Sequence, residues 1–185
     1  MAIVPAAGKA ERFGGAKLTA QVDGEPLLNR TLRSLLDGGV DEVVVVTAAG
    51  TTFDGVRLLK DRRVTRAENP DPSRGMFSSI QTGLMMADGD PMLVLPADMP
   101  FVKSETVSAI IAAARSSGRI VLPRFDGRHG HPVALPASLQ RAILAAPPAS
   151  TLTDLIKSHA HARIELDVTD AGVVRDVDRP GDLAP

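Results

Sequence analysis

Residues 5–17 read PAAGKAERFGGAK and directly follow the short apolar run AIV at residues 2–4. Gly8, Gly14 and Gly15 allow the backbone to turn its N–H groups into a concave anion nest. Lys9, Arg12 and Lys17 against Glu11 give this stretch a local net charge of +2 on a chain whose formal net charge is −1. An arginine can fork onto phosphate oxygens, and a lysine acts on them as a point charge. A glycine-rich turn with solvated basic residues is the plainer account of such a loop. Its place after a strand and its density of positive charge favour a phosphate grip. Two familiar phosphate patterns fail here. GxxxxGK[ST] does not fit, because Gly8 and Gly14 are one residue too far apart and Leu18 follows Lys17. GxGxxG does not fit, because Lys9 and Ala10 follow Gly8.

Outward from that loop, short β-branched runs alternate with amphipathic stretches. Leu27, Leu28, Leu32, Leu35 and Leu36 fall at helical spacing, and Asp37-Gly38-Gly39 stops the helix. Residues 43–46 are four consecutive valines, as in a strand buried on both faces. Residues 92–95 form another such run before Pro96, and 120–122 a third. Helices are predicted over 78–86, from Val107 to a stop at Gly118, over 137–145 and 152–156, with a helical piece at 55–60. Later strands are predicted at 164–168 and 173–177. The alternation predicts a single α/β domain over residues 1–185, with a mostly parallel sheet and helices on both faces. Such sheets bind ligands beyond the carboxyl ends of their strands. The loops after Val4, Val46 and Leu95 are therefore the places to look.

Composition narrows the chemistry. The chain has 185 residues, 44% of them hydrophobic, which suffices for one domain with a core. There is no cysteine, so disulfides, thiolate metal sites and cysteine nucleophiles are excluded. The four histidines, 129, 131, 159 and 161, lack HExxH spacing. A slightly acidic chain with five Phe and no Trp or Tyr lacks both a basic footprint and stacking platforms for nucleic acid. No leader peptide or membrane span is read, and the expected compartment is the cytosol.

Three further places could carry chemistry. Asp98 follows the run at 92–95 and lies between Pro96 and Pro100, so its carboxylate would face the ligand crevice; otherwise it fixes the turn or caps the helix that follows. Asn69 and the segment from Gly75 through Ser78 and Ser79 form a polar approach to a helix, where the serines either meet a base edge or cap the helix. Residues 165–185 hold six acids against two arginines; Asp176 and Asp178, two apart, would share one face of a strand, while Asp178 or, more readily, Asp182 could instead cap a terminal helix opened by Pro180.

Taken together, PAAGKAERFGGAKL, Asn69, GMFSSIQTGL (75–84), LVLPADMPFV (93–102), GHPVALP (130–136) and DVDRPGDL (176–183) resemble, in order, the motifs of the MobA-like NTP transferases. The Ala-Ala-Gly start and GM-x-SS are most similar to the branch of molybdenum cofactor cytidylyltransferases. The resemblance covers nearly the whole chain and implies a Rossmann-like fold of the nucleotide-diphospho-sugar transferase type. It implies a Mg2+-dependent transfer of CMP from CTP to a terminal phosphate of molybdopterin or the molybdenum cofactor, with release of pyrophosphate. It also implies nucleotide binding by Ala6, Ala7, Gly8, Arg12, Lys17, Asn69, Gly75, Ser78, Ser79 and Asp98, and catalytic roles for Arg12, Lys17 and Asp98. The metal falls to Asp98 with Asp176 or Asp178, and the acceptor to His131. An ionised acceptor phosphate needs no general base, which fits a sequence without an obvious triad. Rival readings are a methylerythritol-phosphate or sugar-phosphate nucleotidyltransferase, and a non-catalytic carrier handing a nucleotide-linked cofactor to an apoenzyme such as a molybdenum hydroxylase. A redox dinucleotide protein is weakened by the failed GxGxxG pattern.

Overall fold

The computed structural model of the protein describes residues 1–8, 13, 16–86 and 89–183. In chain order its strands are β1 (Ala2–Pro5), β2 (Gln21–Val22), β3 (Glu25–Pro26), β4 (Val43–Thr47), β5 (Val64–Glu68), β6 (Met92–Val94), β7 (Ile120–Phe125), β8 (Arg128–His129), β9 (Val133–Leu135) and β10 (Arg163–Asp167). The α-helices are α1 (Leu27–Asp37), α2 (Met76–Leu84), α3 (Ser104–Ser117), α4 (Gln140–Ala145) and α5 (Leu152–Ser158). The main sheet runs β10-β7-β9-β6-β1-β4-β5, with β8 turned back on β7. All pairings along this path are parallel except those of β9 with β6 and β7.

The buried strands alternate between two cores, as side chains of period two must. Ala2, Val4, Val43, Val45 and Leu93 face α1 and α3, packing on Leu28, Leu32, Leu35, Val107 and Ile110. Ile3, Val44, Val46, Met92 and Val94 face α2, α4 and α5, packing on Phe77, Ile80, Leu84, Ile143 and Ile156. Helices thus cover both faces, as a parallel sheet requires. The sheet has the expected class. α1 occupies the predicted range, and α3 ends on Gly118 in the left-handed conformation, where a glycine carries no Cβ penalty.

Five strands are not predicted from the sequence: the two-residue β2, β3 and β8, and the longer β5 and β9. β5 is an edge strand in which only Val64 and Ala67 are buried, while Thr65, Arg66 and Glu68 face solvent. Its charges blunt the open edge and hide the apolar pattern. β9 is only three residues long and lies within GHPVALP. The predicted strand at 173–177 is not formed. Ala171–Val174 is a 3-10 turn capped by the Asp170 side chain, and the chain then runs irregularly. Val173 and Val177 are fully buried through packing rather than through a ladder.

Parallel strands β1, β4 and β6 finish on one edge of the sheet, which gathers the loops after Pro5, Thr47 and Val94. Two glycines bring later segments against that edge. A Cβ on Gly172 would lie 2.1 Å from the Phe101 carbonyl oxygen, and one on Gly130 would lie 2.1 Å from that of Val173. Neither backbone can yield locally. Gly172→Ala is therefore expected to lower stability by about 1–3 kcal/mol or more in urea unfolding. Gly181→Ala, where nothing lies within 4 Å of the added carbon, serves as the control. An unchanged midpoint for Gly172→Ala would contradict the close approach.

Candidate active site

A cleft opens where the loops meet. β1 and its loop supply Pro5, Ala6, Ala7 and Gly8; the 3-10 turn Lys17–Thr19 supplies Lys17 and Leu18. The segment between β5 and α2, with the first turns of α2, supplies Pro72, Gly75, Met76 and Ser79; the loop after β6 supplies Pro96, Ala97 and Asp98. A second cleft shares Lys17 and Gly8 and is walled by Ala48, Thr51, Thr52 and Phe53 from the loop after β4. All three loops singled out from the sequence thus converge here.

Lys17 is the hub. Its side chain is only 9% exposed, and its ammonium donates to Asp98 Oδ2 at 2.7 Å and to Asp178 Oδ1 at 3.4 Å. The two carboxylates come from residues 81 and 161 positions away. Asp98 and Asp178 thus converge on one cation. Asp176 is exposed, so of the predicted acidic pair it is Asp178 that reaches the lysine. Arg12, with Lys9, Gly14 and Gly15, lies outside the described residues.

The peptide carrying Asp98 is held from three sides. Ala97 N–H donates to Pro5 O at 3.1 Å, and Val177 N–H donates to Asp98 O at 2.9 Å. The buried hydroxyl of Thr31, on α1, donates to Ala97 O at 2.9 Å. On the acidic segment, Asp182 accepts from the amides of Asp178 and Arg179, and these bonds lower its pKa. It caps the turn, as its sequence context suggested. Asp170 is buried and accepts from Lys103 N–H, Thr106 Oγ1–H and Gly172 N–H at 2.8–2.9 Å, docking the segment against the start of α3.

Other predicted positions divide. Gly75 and Ser79 line the cleft, and Gly75 takes φ +83° at the start of α2, where a side chain would be strained. Asn69 is 2% exposed and does not line the cleft. Its amide donates to Ser78 Oγ and Ser79 Oγ at 2.8 and 3.0 Å, and its oxygen accepts from Asp71 N–H. Ser78 donates back to Gly75 O at 2.7 Å. Asn69 and Ser78 therefore shape the loop. His131 follows the close approach at Gly130; its Nδ1 lies 3.2 Å from Val94 O. Donation to that carbonyl would fix the proton on Nδ1 and leave Nε2 as acceptor. Burial lowers its pKa below the ordinary value, against the upward pull of the Val94 carbonyl, Asp98 and Asp176.

The donor set can be tested against a metal. Among the described residues no group of three or more His, Cys, Asp or Glu is arranged to hold an ion. Two carboxylates facing one cation match the manner of magnesium, which takes one or two protein carboxylates and fills its shell with phosphate oxygens and water. The residues present fit a divalent ion that arrives with a polyphosphate. Thr31 and Asp170 had not been singled out in the sequence. The only sign of Thr31 is its position four residues from both Leu27 and Leu35, which puts a polar group on the apolar face of α1.

Over residues 2–163 the chain matches the MobA-like NTP transferase domain. It is 22% identical over 181 residues to the molybdenum cofactor cytidylyltransferase of Escherichia coli (strain K12), spanning 98% of this chain and 92% of the relative. Its fold is similar to that of a nucleotidyl transferase from Methanothermobacter thermautotroptrophicus, with a TM-score of 0.81 and 22% identity over 98% of this chain and 92% of the other. A Mycobacterium tuberculosis H37Rv protein solved as a complex with manganese has a TM-score of 0.71 and 21% identity over 98% and 94% of the two chains. No helix of the described residues is long and apolar enough to cross a membrane. A match over most of the length, on a fold shared with solved nucleotidyltransferases, shows that the chain belongs to the MobA-like NTP transferase family and is a nucleotidyltransferase.

Proposed function

We propose that the protein transfers CMP from CTP to a terminal phosphate of molybdopterin or the molybdenum cofactor, in the cytosol, with magnesium and with release of pyrophosphate. The observation that carries this reading is the Lys17 ammonium held between Asp98 and Asp178 at the carboxyl edge of β1 and β6. The nucleotide choice rests on the Ala6-Ala7-Gly8 and GMFSS segments, and is supported by the relative named as a cytidylyltransferase.

In this reading the base lies toward Gly75 and Ser79, and the triphosphate lies along Gly8, Arg12 and Lys17. Asn69 and Ser78 hold the loop that forms the base side. An oxygen of the acceptor phosphate attacks the α-phosphorus in line, a P–O bond forms, and the bond to the β-phosphate oxygen breaks with its electrons leaving on pyrophosphate. The attacking oxygen is already ionised, so no side chain has to remove a proton. Lys17 and Arg12 offset the charge growing on the leaving group, by electrostatic stabilisation and positioning. Asp98 and Asp178 would hold the magnesium, which when bound neutralises phosphate charge. In this reading His131 and the exposed Asp176 are assigned to the acceptor, although neither lines either of the two clefts.

The decisive assay is pyrophosphate release across the four NTPs, each with molybdopterin, methylerythritol phosphate and sugar phosphates. Release with CTP and molybdopterin alone is the expected result; release with another pairing reassigns the acceptor, and none at all favours a carrier. Lys17→Met should lower kcat by about 10²–10³, the scale of losing one charge-stabilising donor. Wild-type turnover in that variant would remove the lysine from the chemistry. Asp98→Asn and Asp178→Asn should each lower activity far more than Asp176→Asn. An equal or reversed order would show that the acidic segment is read wrongly.

A further inference from the structure

We infer that Thr31 is a positioning residue for the Asp98 carboxylate, an inference that rests on the reading of Asp98 as a metal-holding group. Asp98 lies in the loop after β6, outside any ladder, so its backbone must find partners elsewhere. The three anchors of the Ala97–Asp98 peptide differ in kind. Those from Ala97 N–H to Pro5 O and from Val177 N–H to Asp98 O are backbone bonds, present whatever the side chains. The bond from Thr31 Oγ1 to Ala97 O is the one made by a side chain. Thr31 is fully buried, so water cannot replace its hydroxyl.

A threonine inside a helix commonly turns its hydroxyl back to the carbonyl four residues earlier. Here that oxygen, on Leu27, is 3.4 Å away, whereas Ala97 O is 2.9 Å away. The proton is therefore aimed across the core at the metal-side loop. Thr31 itself does not line the cleft; its hydroxyl reaches the site through the Ala97 carbonyl, one residue before Asp98. It fixes the peptide plane from which the carboxylate projects, and with it the distance at which Asp98 and Asp178 meet one cation. Partners one shell out from a ligand are where metal affinity is commonly tuned.

The test is Mn2+ binding, followed by electron paramagnetic resonance in the presence of a non-hydrolysable CTP analogue, with thermal unfolding of each variant alongside. Thr31→Val keeps the shape and removes the donor, and should weaken Mn2+ binding by about 10- to 100-fold. Thr31→Ser keeps the hydroxyl and should restore most of the affinity. Ser34→Ala removes a buried hydroxyl one turn along α1 whose bond among the described residues is to the Thr31 carbonyl within the helix, and should leave Mn2+ affinity unchanged whatever it does to unfolding. Wild-type affinity in a folded Thr31→Val protein overturns the inference, as does a Thr31→Ser protein no better than the valine. If the valine variant does not fold, Thr31→Cys, similar in size and a weaker donor, is judged by the same criteria. Asp98→Asn separates the two levels: if it binds Mn2+ as the wild type does, the metal reading itself fails. If it loses the ion while Thr31→Val does not, only the role of Thr31 fails.

Discussion

An ammonium flanked by two carboxylates is the contact on which the geometry of the cleft depends. Lys17 is more buried than either partner, with side-chain exposures of 9% against 27% for Asp98 and 45% for Asp178. A buried charge is costly unless paired, and even a paired one is a weak source of stability against an apolar substitute. The contact therefore contributes arrangement more than stability. It joins the loops after the paired strands β1 and β6 to the acidic segment at 176–182, which belongs to no strand. It also leaves one net negative charge among the three groups, which suits a site that takes a divalent ion together with a polyphosphate.

The sheet could be read from sequence wherever burial on both faces forced an unbroken apolar run. β1, β4 and β6 are such runs, and their strict alternation between the two cores makes them hard to mistake. β5 reads VTRAE because an edge strand is covered on one side only and needs charge on the other. β9 is three residues of a motif whose turns dominate it. The segment at 173–177 looked like a strand because Val173 and Val177 are apolar and spaced for it. Their burial comes instead from close packing that the absence of a side chain at Gly172 allows. Local pattern reports how buried a residue is, and does not say which backbone partner accompanies the burial.

The same divide runs through the site. Lys17 and Asp98 stand in loops that directly follow central strands, so their convergence could be anticipated from topology. Asn69 could be placed near the site but not given its task, because its partners Ser78 and Ser79 lie nine and ten residues away on the next helix. Thr31 and Asp170 act on segments 66 and 67 residues distant, and no local pattern encodes such a bond.

The acidic segment shows how one composition divides into separate tasks. Six acids in residues 165–185 suggest a single negative surface, yet four of them within 170–182 do different things. Asp170 accepts three hydrogen bonds and docks the segment on α3. Asp182 accepts two amides that would otherwise end a turn unpaired. Its pKa, held below the ordinary carboxylate value by those bonds, ties this turn to pH in one direction: the contribution is present above the unfolded value and is lost as pH falls through the folded one. Asp176 faces solvent, and Asp178, set by the turn that Asp182 closes, reaches Lys17. The carboxylates that saturate backbone donors are thus what aim the one that meets the lysine.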